Sequence, residues 1–167
     1  MRILLLLLIP LFSLGQALPS IEEKTKGLEK AEGFIPFYID KDNGKIWLEI
    51  TERDQEILYC ISLPAGLGSN DIGLDRGLLG SQHLIRFKRN GKKILLHQPN
   101  YDYRANSKDP LERKAVEESF ASSIVWGFTI EAATGNKYLV DATDFLLRDA
   151  MKAGARIRTA KQGSFVP

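Results

Sequence analysis

Cysteine, histidine and excess charge of either sign are all scarce in this chain, and each scarcity removes a class of function. Cys60 is the one cysteine among 167 residues, so no internal disulfide is available to the fold. Its neighbours Ile57, Leu58, Tyr59 and Ile61 predict a buried strand residue rather than a reactive thiol. His83 and His97 are the two histidines. A zinc site takes three or four His, Cys or carboxylate ligands at suitable spacing, and no H-E-x-x-H is present. The two histidines fall on neighbouring predicted strands and could approach each other across a hairpin, without an evident third ligand. The net charge of +2 gives no basic stripe, so nucleic acid is not an expected partner. There is no G-x-S-x-G elbow for a nucleophilic serine.

Long apolar runs are also missing, apart from the first residues. Arg2 precedes Ile3 to Leu14, which is almost wholly apolar and broken by Pro10 and Ser13. That length suits the core of a signal peptide and falls short of the roughly 20 apolar residues of a spanning helix. Small residues then allow cleavage after Gly15 or Ala17, so residues 1–17 are expected to be an export signal. The expected locations are the periplasm, the cell surface or the outside of the cell, with no membrane partner once the signal is removed. Residues 18–33, rich in Glu and Lys, read as a short solvated helix or a polar leader.

From Phe34 the pattern turns to strands. Phe34 to Ile39, Lys45 to Thr51 and Glu56 to Leu63 form one series, with Asp42-Asn43-Gly44 a hairpin turn and Glu52 to Gln55 a second turn. His83 to Arg89 and Lys92 to Pro99 flank Asn90-Gly91, another hairpin signal. Asp109-Pro110-Leu111-Glu112 opens a helix that runs to about Phe120. Ser122 to Ala132 and Lys137 to Val140 return as strands around Thr134-Gly135-Asn136. Asp141 or Thr143 then caps a helix over Asp144 to about Ala153. The expected class is α+β: a mainly antiparallel β-meander sheet with two short helices, forming one domain over 34–150. Residues 151–167 carry Lys152, Arg156, Arg158 and Lys161 without an acid, and read as a basic connector or tail.

The most informative stretch is Gly66 to Gly77, GLGSNDIGLDRG. It lacks the Gly-Lys-Ser/Thr of a phosphate cradle, and its Asn70, Asp71 and Asp75 do not have the spacing of an EF-hand. The recurrence of Leu67, Ile72, Leu74, Leu78 and Leu79 predicts a packed loop. Gly66, Gly68, Asn70, Asp71, Asp75, Arg76 and Gly77 are therefore candidates for a shaped structural or interface loop, the aspartates bonding backbone amides and Arg76 pairing with one of them. Asp141, Asp144, Arg148 and Asp149 form a second candidate segment. Asp141 and Asp144 flank a helix start, where carboxylates serve free amides and the helix dipole, rather than an acidic dyad. A cross-pair between Asp75-Arg76 and Arg148-Asp149 is a further option.

Four ordered segments carry a family resemblance: Gly66 to Gly80 (GLGSNDIGLDRGLLG), Leu96 to Arg104 (LHQPNYDYR), Glu117 to Phe128 (EESFASSIVWGF) and Val140 to Ala150 (VDATDFLLRDA). Together they resemble the N-terminal domain, of unknown function, of large exported bacterial zinc-dependent metalloproteases. The resemblance runs from about Phe34 to Ala150, and Gln162-Gly163-Ser164-Phe165 is similar to the chain leading out of that domain. It implies a metzincin-like catalytic domain beyond, holding zinc on an extended H-E-x-x-H-x-x-G-x-x-H helix with its Glu as general base. No residue of this sequence corresponds to those ligands. The expected role is a non-catalytic module, a fragment that packs on or regulates a catalytic domain in cis. No cofactor is expected in this chain, and zinc belongs to the parent. An autonomous peptide- or protein-binding module is the alternative, and an enzyme using Asp71, Asp75, Asp141 or His97 at a cleft is the third reading.

Overall fold

The computed structural model describes residues 17–52, 55–66 and 70–163, with only the backbone of Asn70. The apolar core of the expected export signal with the possible cleavage site after Gly15, the centre of the turn at Arg53-Asp54, Leu67, Gly68 and the segment from Ser164 lie outside the described residues. Eight strands form one antiparallel sheet: β1 (Glu29–Ala31), β2 (Phe37–Asp40), β3 (Lys45–Thr51), β4 (Ile57–Leu63), β5 (Leu78–Asn90), β6 (Lys93–Gln98), β7 (Ser123–Thr134) and β8 (Lys137–Asp141). Their spatial order is β1-β2-β3-β8-β7-β6-β5-β4. The mainly antiparallel sheet expected from the strand pattern is present, and α+β describes the whole in coarse terms.

Chain connectivity forces this sheet to curl. β3 and β4 are consecutive in sequence yet five strand spacings apart, about 24 Å across a flat sheet. The six residue steps from Thr51 to Ile57 span only about 20 Å at full extension. The sheet therefore rolls into a half-barrel whose open seam lies between β4 and the β1–β2 end. Inside the curl Ile50, Ile85, Ile94, Leu96, Phe128 and Val140 form the main core. A second core lies on the opposite face, where Ile21, Tyr38, Trp47, Ala132 and Leu139 pack together. Its cover is α1 (Ile21–Lys24), capped by Ser20, whose Oγ accepts from Glu23 N at 3.0 Å. Residues 18–33 thus supply both a helix and a strand.

The described residues hold four short helices where the sequence pattern predicts two. α2 (Pro110–Ser119) stands where expected, with Asp109 Oδ1 accepting from Leu111 N at 2.8 Å. The helix expected over Asp144 to about Ala153 ends early, as α3 (Thr143–Leu147), and a separate α4 (Ala153–Thr159) forms in the stretch expected to be a connector or tail. The break falls at Arg148, whose backbone is extended. That turn lays its guanidinium over the Phe145 ring at 4.0 Å and the Trp126 ring at 5.3 Å. The Phe34 to Ile39 strand also starts late, at Phe37. Pro36 removes a ladder donor just before it, and Phe34 points into solvent.

Cys60 is not buried. β4 alternates half-buried Ile57, Tyr59, Ile61 and Leu63 with exposed Leu58, Cys60 and Ser62, which places the thiol on the outer face of an edge strand. The apolar density around Cys60 conceals this two-residue period.

Candidate functional site

The Gly66–Gly77 loop is held by glycine packing and one buried leucine. Leu74 is buried, Ile72 is half-buried and Gly77 N donates to Leu63 O at 2.8 Å. A Cβ on Gly66 would lie 2.5 Å from Arg76 N and 3.0 Å from Leu74 O, so only glycine admits this backbone approach. Asp71, Asp75 and Arg76 are exposed, and among the described residues no hydrogen bond or ion pair to their side chains shapes the loop. The expected carboxylate–amide bonds and the Arg76 pair are thus replaced by backbone packing. The obstructing atoms at Gly66 belong to the backbone and cannot rotate away. Gly66→Ala is therefore expected to cost about 1–3 kcal/mol and to speed amide exchange in the loop, measured by urea unfolding and hydrogen exchange.

The second segment divides into two places. Asp141 closes the end of β8: its Oδ1 accepts from Thr143 N at 3.0 Å, and its Oδ2 accepts from Lys45 Nζ. Burial alone would raise this carboxyl, but the bonds from Lys45 and Thr143 outweigh it and hold it below the usual range. Asp144 is exposed in the first turn of α3. Arg148 donates to Phe145 O at 3.0 Å and to Tyr59 Oη at 2.9 Å, which ties α3 to β4. Asp149 serves α4, accepting from Ala153 N at 2.7 Å and Gly154 N at 2.9 Å. Arg156 of α4 in turn donates to Gly73 O, in the glycine loop. The structure therefore ties Gly73 and Asp149 to α4, while Arg148 turns to Tyr59 and Phe145, and no Asp75–Arg148 cross-pair forms among the described residues. Leu146 and Leu147 of α3 are 46% and 60% exposed here.

A separate cleft of about 770 Å³ lies on the outer face between β5–β6 and α2. His97 Nε2 and Ser122 Oγ are 2.7 Å apart in it, and sequence spacing gives no sign of this pairing. Burial, with the charges of Lys88 and Arg86, lowers the His97 pKa, so its ring is neutral near pH 7. Its Nδ1 is buried, with no hydrogen-bond partner among the described residues. Arg86 bonds Glu56 Oε1 at 3.0 Å and Tyr101 Oη at 3.1 Å.

The two histidines do not meet. His97 pairs across the ladder with Arg86, whereas His83 pairs with Tyr59 on the inner face and stacks on its ring. No group of three or more His, Cys, Asp or Glu side chains is arranged for a metal among the described residues. Asp71 borders α4, Asp141 holds Lys45 and His97 lies beside α2, so these three do not share a cleft. No described helix is long and apolar enough to cross a membrane.

The sequence profile of a family described as a domain of unknown function (DUF5117) matches residues 77–166, from the last glycine of the loop past α4. No curated protein and no solved structure matches the chain.

Proposed function

The chain belongs to the DUF5117 family of domains of unknown function, and from that premise we propose that it is a non-catalytic module of an exported zinc-dependent metalloprotease. In this reading the parent's catalytic domain holds the zinc and carries out the hydrolysis. This domain docks on it in cis and orients or covers it. The observation that carries the reading is the joining of the glycine loop and the Arg148–Asp149 segment by α4, at an end that leaves Leu146 and Leu147 exposed. Solvent-facing leucines beside a backbone held this firmly suit a preformed docking surface. The four-segment resemblance supplies the partner's identity.

The test mixes the purified chain with a separately made catalytic domain of such a protease. Binding, with a change in peptidase activity or solubility, is the expected result. Leu146→Glu and Leu147→Glu should weaken it without unfolding the domain, because both side chains already face solvent. No binding at high micromolar concentration, with no effect on activity or solubility, would overturn the reading.

A further inference from the structure

The two edges of the half-barrel differ. β1 is three residues long, and Glu29 and Lys30 carry charge into solvent through ion pairs with Lys41 and Glu32. A short, charged strand is an edge protected against pairing. β4, at the other end, is seven residues of ILYCISL with neither charge nor proline. Among the described residues its free side pairs with no other strand. Its one edge-breaking device is the irregularity between Cys60 and Ser62.

The side chains around that edge are also incompletely covered. On the outer face Leu58 and its cross-strand partner Leu84 are 60% and 42% exposed. On the inner face Ile57, Tyr59, Ile61 and Leu63 are only half-buried, although they continue the wall of the main core. At the Ile57 end the seam opens into a cavity of about 170 Å³, with Phe34, Ile50, Ile57 and Phe87 as its apolar lining and the paired Glu49 and Lys137 at its polar side. A cavity of ~150 Å³ holds a group the size of benzene, so this space has room for one side chain with its apolar part against Ile57 and Phe87.

We infer that the seam beside β4 is a strand-addition site for an uncharged extended peptide, bound as a ninth strand with an apolar side chain in the Phe34–Ile57–Phe87 cavity. The row of free amides and carbonyls on β4 supplies sequence-independent hydrogen bonds, and alternate side chains supply selectivity. The absence of charge along β4 favours an uncharged strand, since a charged residue placed opposite it would lose water without gaining a partner. The inference does not depend on the catalytic-domain reading, and its test contains no catalytic domain.

The probe is a fluorescein-labelled, acetylated Thr-Val-Thr-Phe-Thr-Val-Thr amide, titrated into the full chain and followed by anisotropy and hydrogen exchange. Saturable binding is expected, with slowed exchange at alternate amides of β4 and none gained at β1. The same peptide methylated on alternate backbone nitrogens should bind at least about tenfold more weakly, because it cannot complete the ladder. Leu58→Lys changes an exposed position and should also weaken binding. Absence of saturable binding, equal affinity for the methylated peptide, or protection at β1 overturns the inference. Concentration-dependent protection of β4 without peptide also overturns it, since the occupant would then be a second copy of the chain.

Discussion

Phe128→Ala is expected to remove about 3–5 kcal/mol of folding stability, a large share of the roughly 5–15 kcal/mol typical of a domain. Phe128 is 2% exposed and lies on β7, which is paired on both sides, to β6 and to β8. Its ring meets Phe145 of α3 edge-on at 5.2 Å and tilts against Trp126 at 6.5 Å. Truncation therefore loses transfer energy, opens a cavity under the curl and removes an aromatic partner worth about 0.5–1.5 kcal/mol beyond its area. The paired strands on both sides limit collapse into that space, which places the cost toward the upper part of the range. Ile124→Ala on the same strand is the control: that side chain is 61% exposed and should cost within about 0.5 kcal/mol. Urea unfolding with unchanged slope measures both. Similar costs for the two variants would mean that Phe128 is not central to the core.

The elements that were legible in the sequence have local causes. Lys45 to Thr51 sets Ile46, Leu48 and Ile50 on one face of β3, and Asn90-Gly91 marks the β5–β6 turn, whose register pairs Asn90 with Lys93. Asp109-Pro110 places α2 to the residue, because capping and proline act within one turn. What was illegible depends on distant partners. The break between α3 and α4 follows from Arg148 reaching Tyr59, which is 89 residues away in sequence. Ile21 is buried by the far face of the sheet, so its segment reads as a leader when taken alone. The glycine loop was legible as a shaped element, but not in its means: its aspartates face solvent, and Gly66, Leu74 and Arg156 hold it. His97 and Ser122 meet only because β6 and the approach to β7 are neighbours, with His97 paired to Ile124. Strand order decides which edge is open, and no local pattern encodes that order.

Lys137→Met should be the second large loss, about 1–3 kcal/mol at pH 7 because Glu49 is buried while Lys137 is half exposed, with a pH dependence that identifies its cause. Glu49 is 5% exposed, and its carboxylate accepts from Lys137 Nζ and Tyr38 Oη, each at 2.8 Å. Burial pushes this carboxyl up, but the bonds from Lys137 and Tyr38 and the lysine charge together bring it below its ordinary 4.5. The wild-type contribution is therefore present above the unfolded value and is lost as pH falls through the folded one. Without Lys137 the Tyr38 hydroxyl and the charge of Lys30 remain, desolvation prevails, and the folded pKa should rise above 4.5. The sign then inverts: the variant loses stability as pH rises through the new value, and its deficit narrows as pH falls, closing below the wild-type folded value, where Glu49 is neutral in both proteins. Lys137→Arg, which keeps the charge, should retain most of the stability. Urea midpoints across this pH range decide the matter, and parallel profiles for Met and wild type would show that Glu49 is not the responsible group. Glu49 and Lys137 also border the cavity beside Ile57. The same substitution should therefore loosen the wall of the proposed strand site at its Ile57 end, while leaving α4 and the glycine loop unchanged.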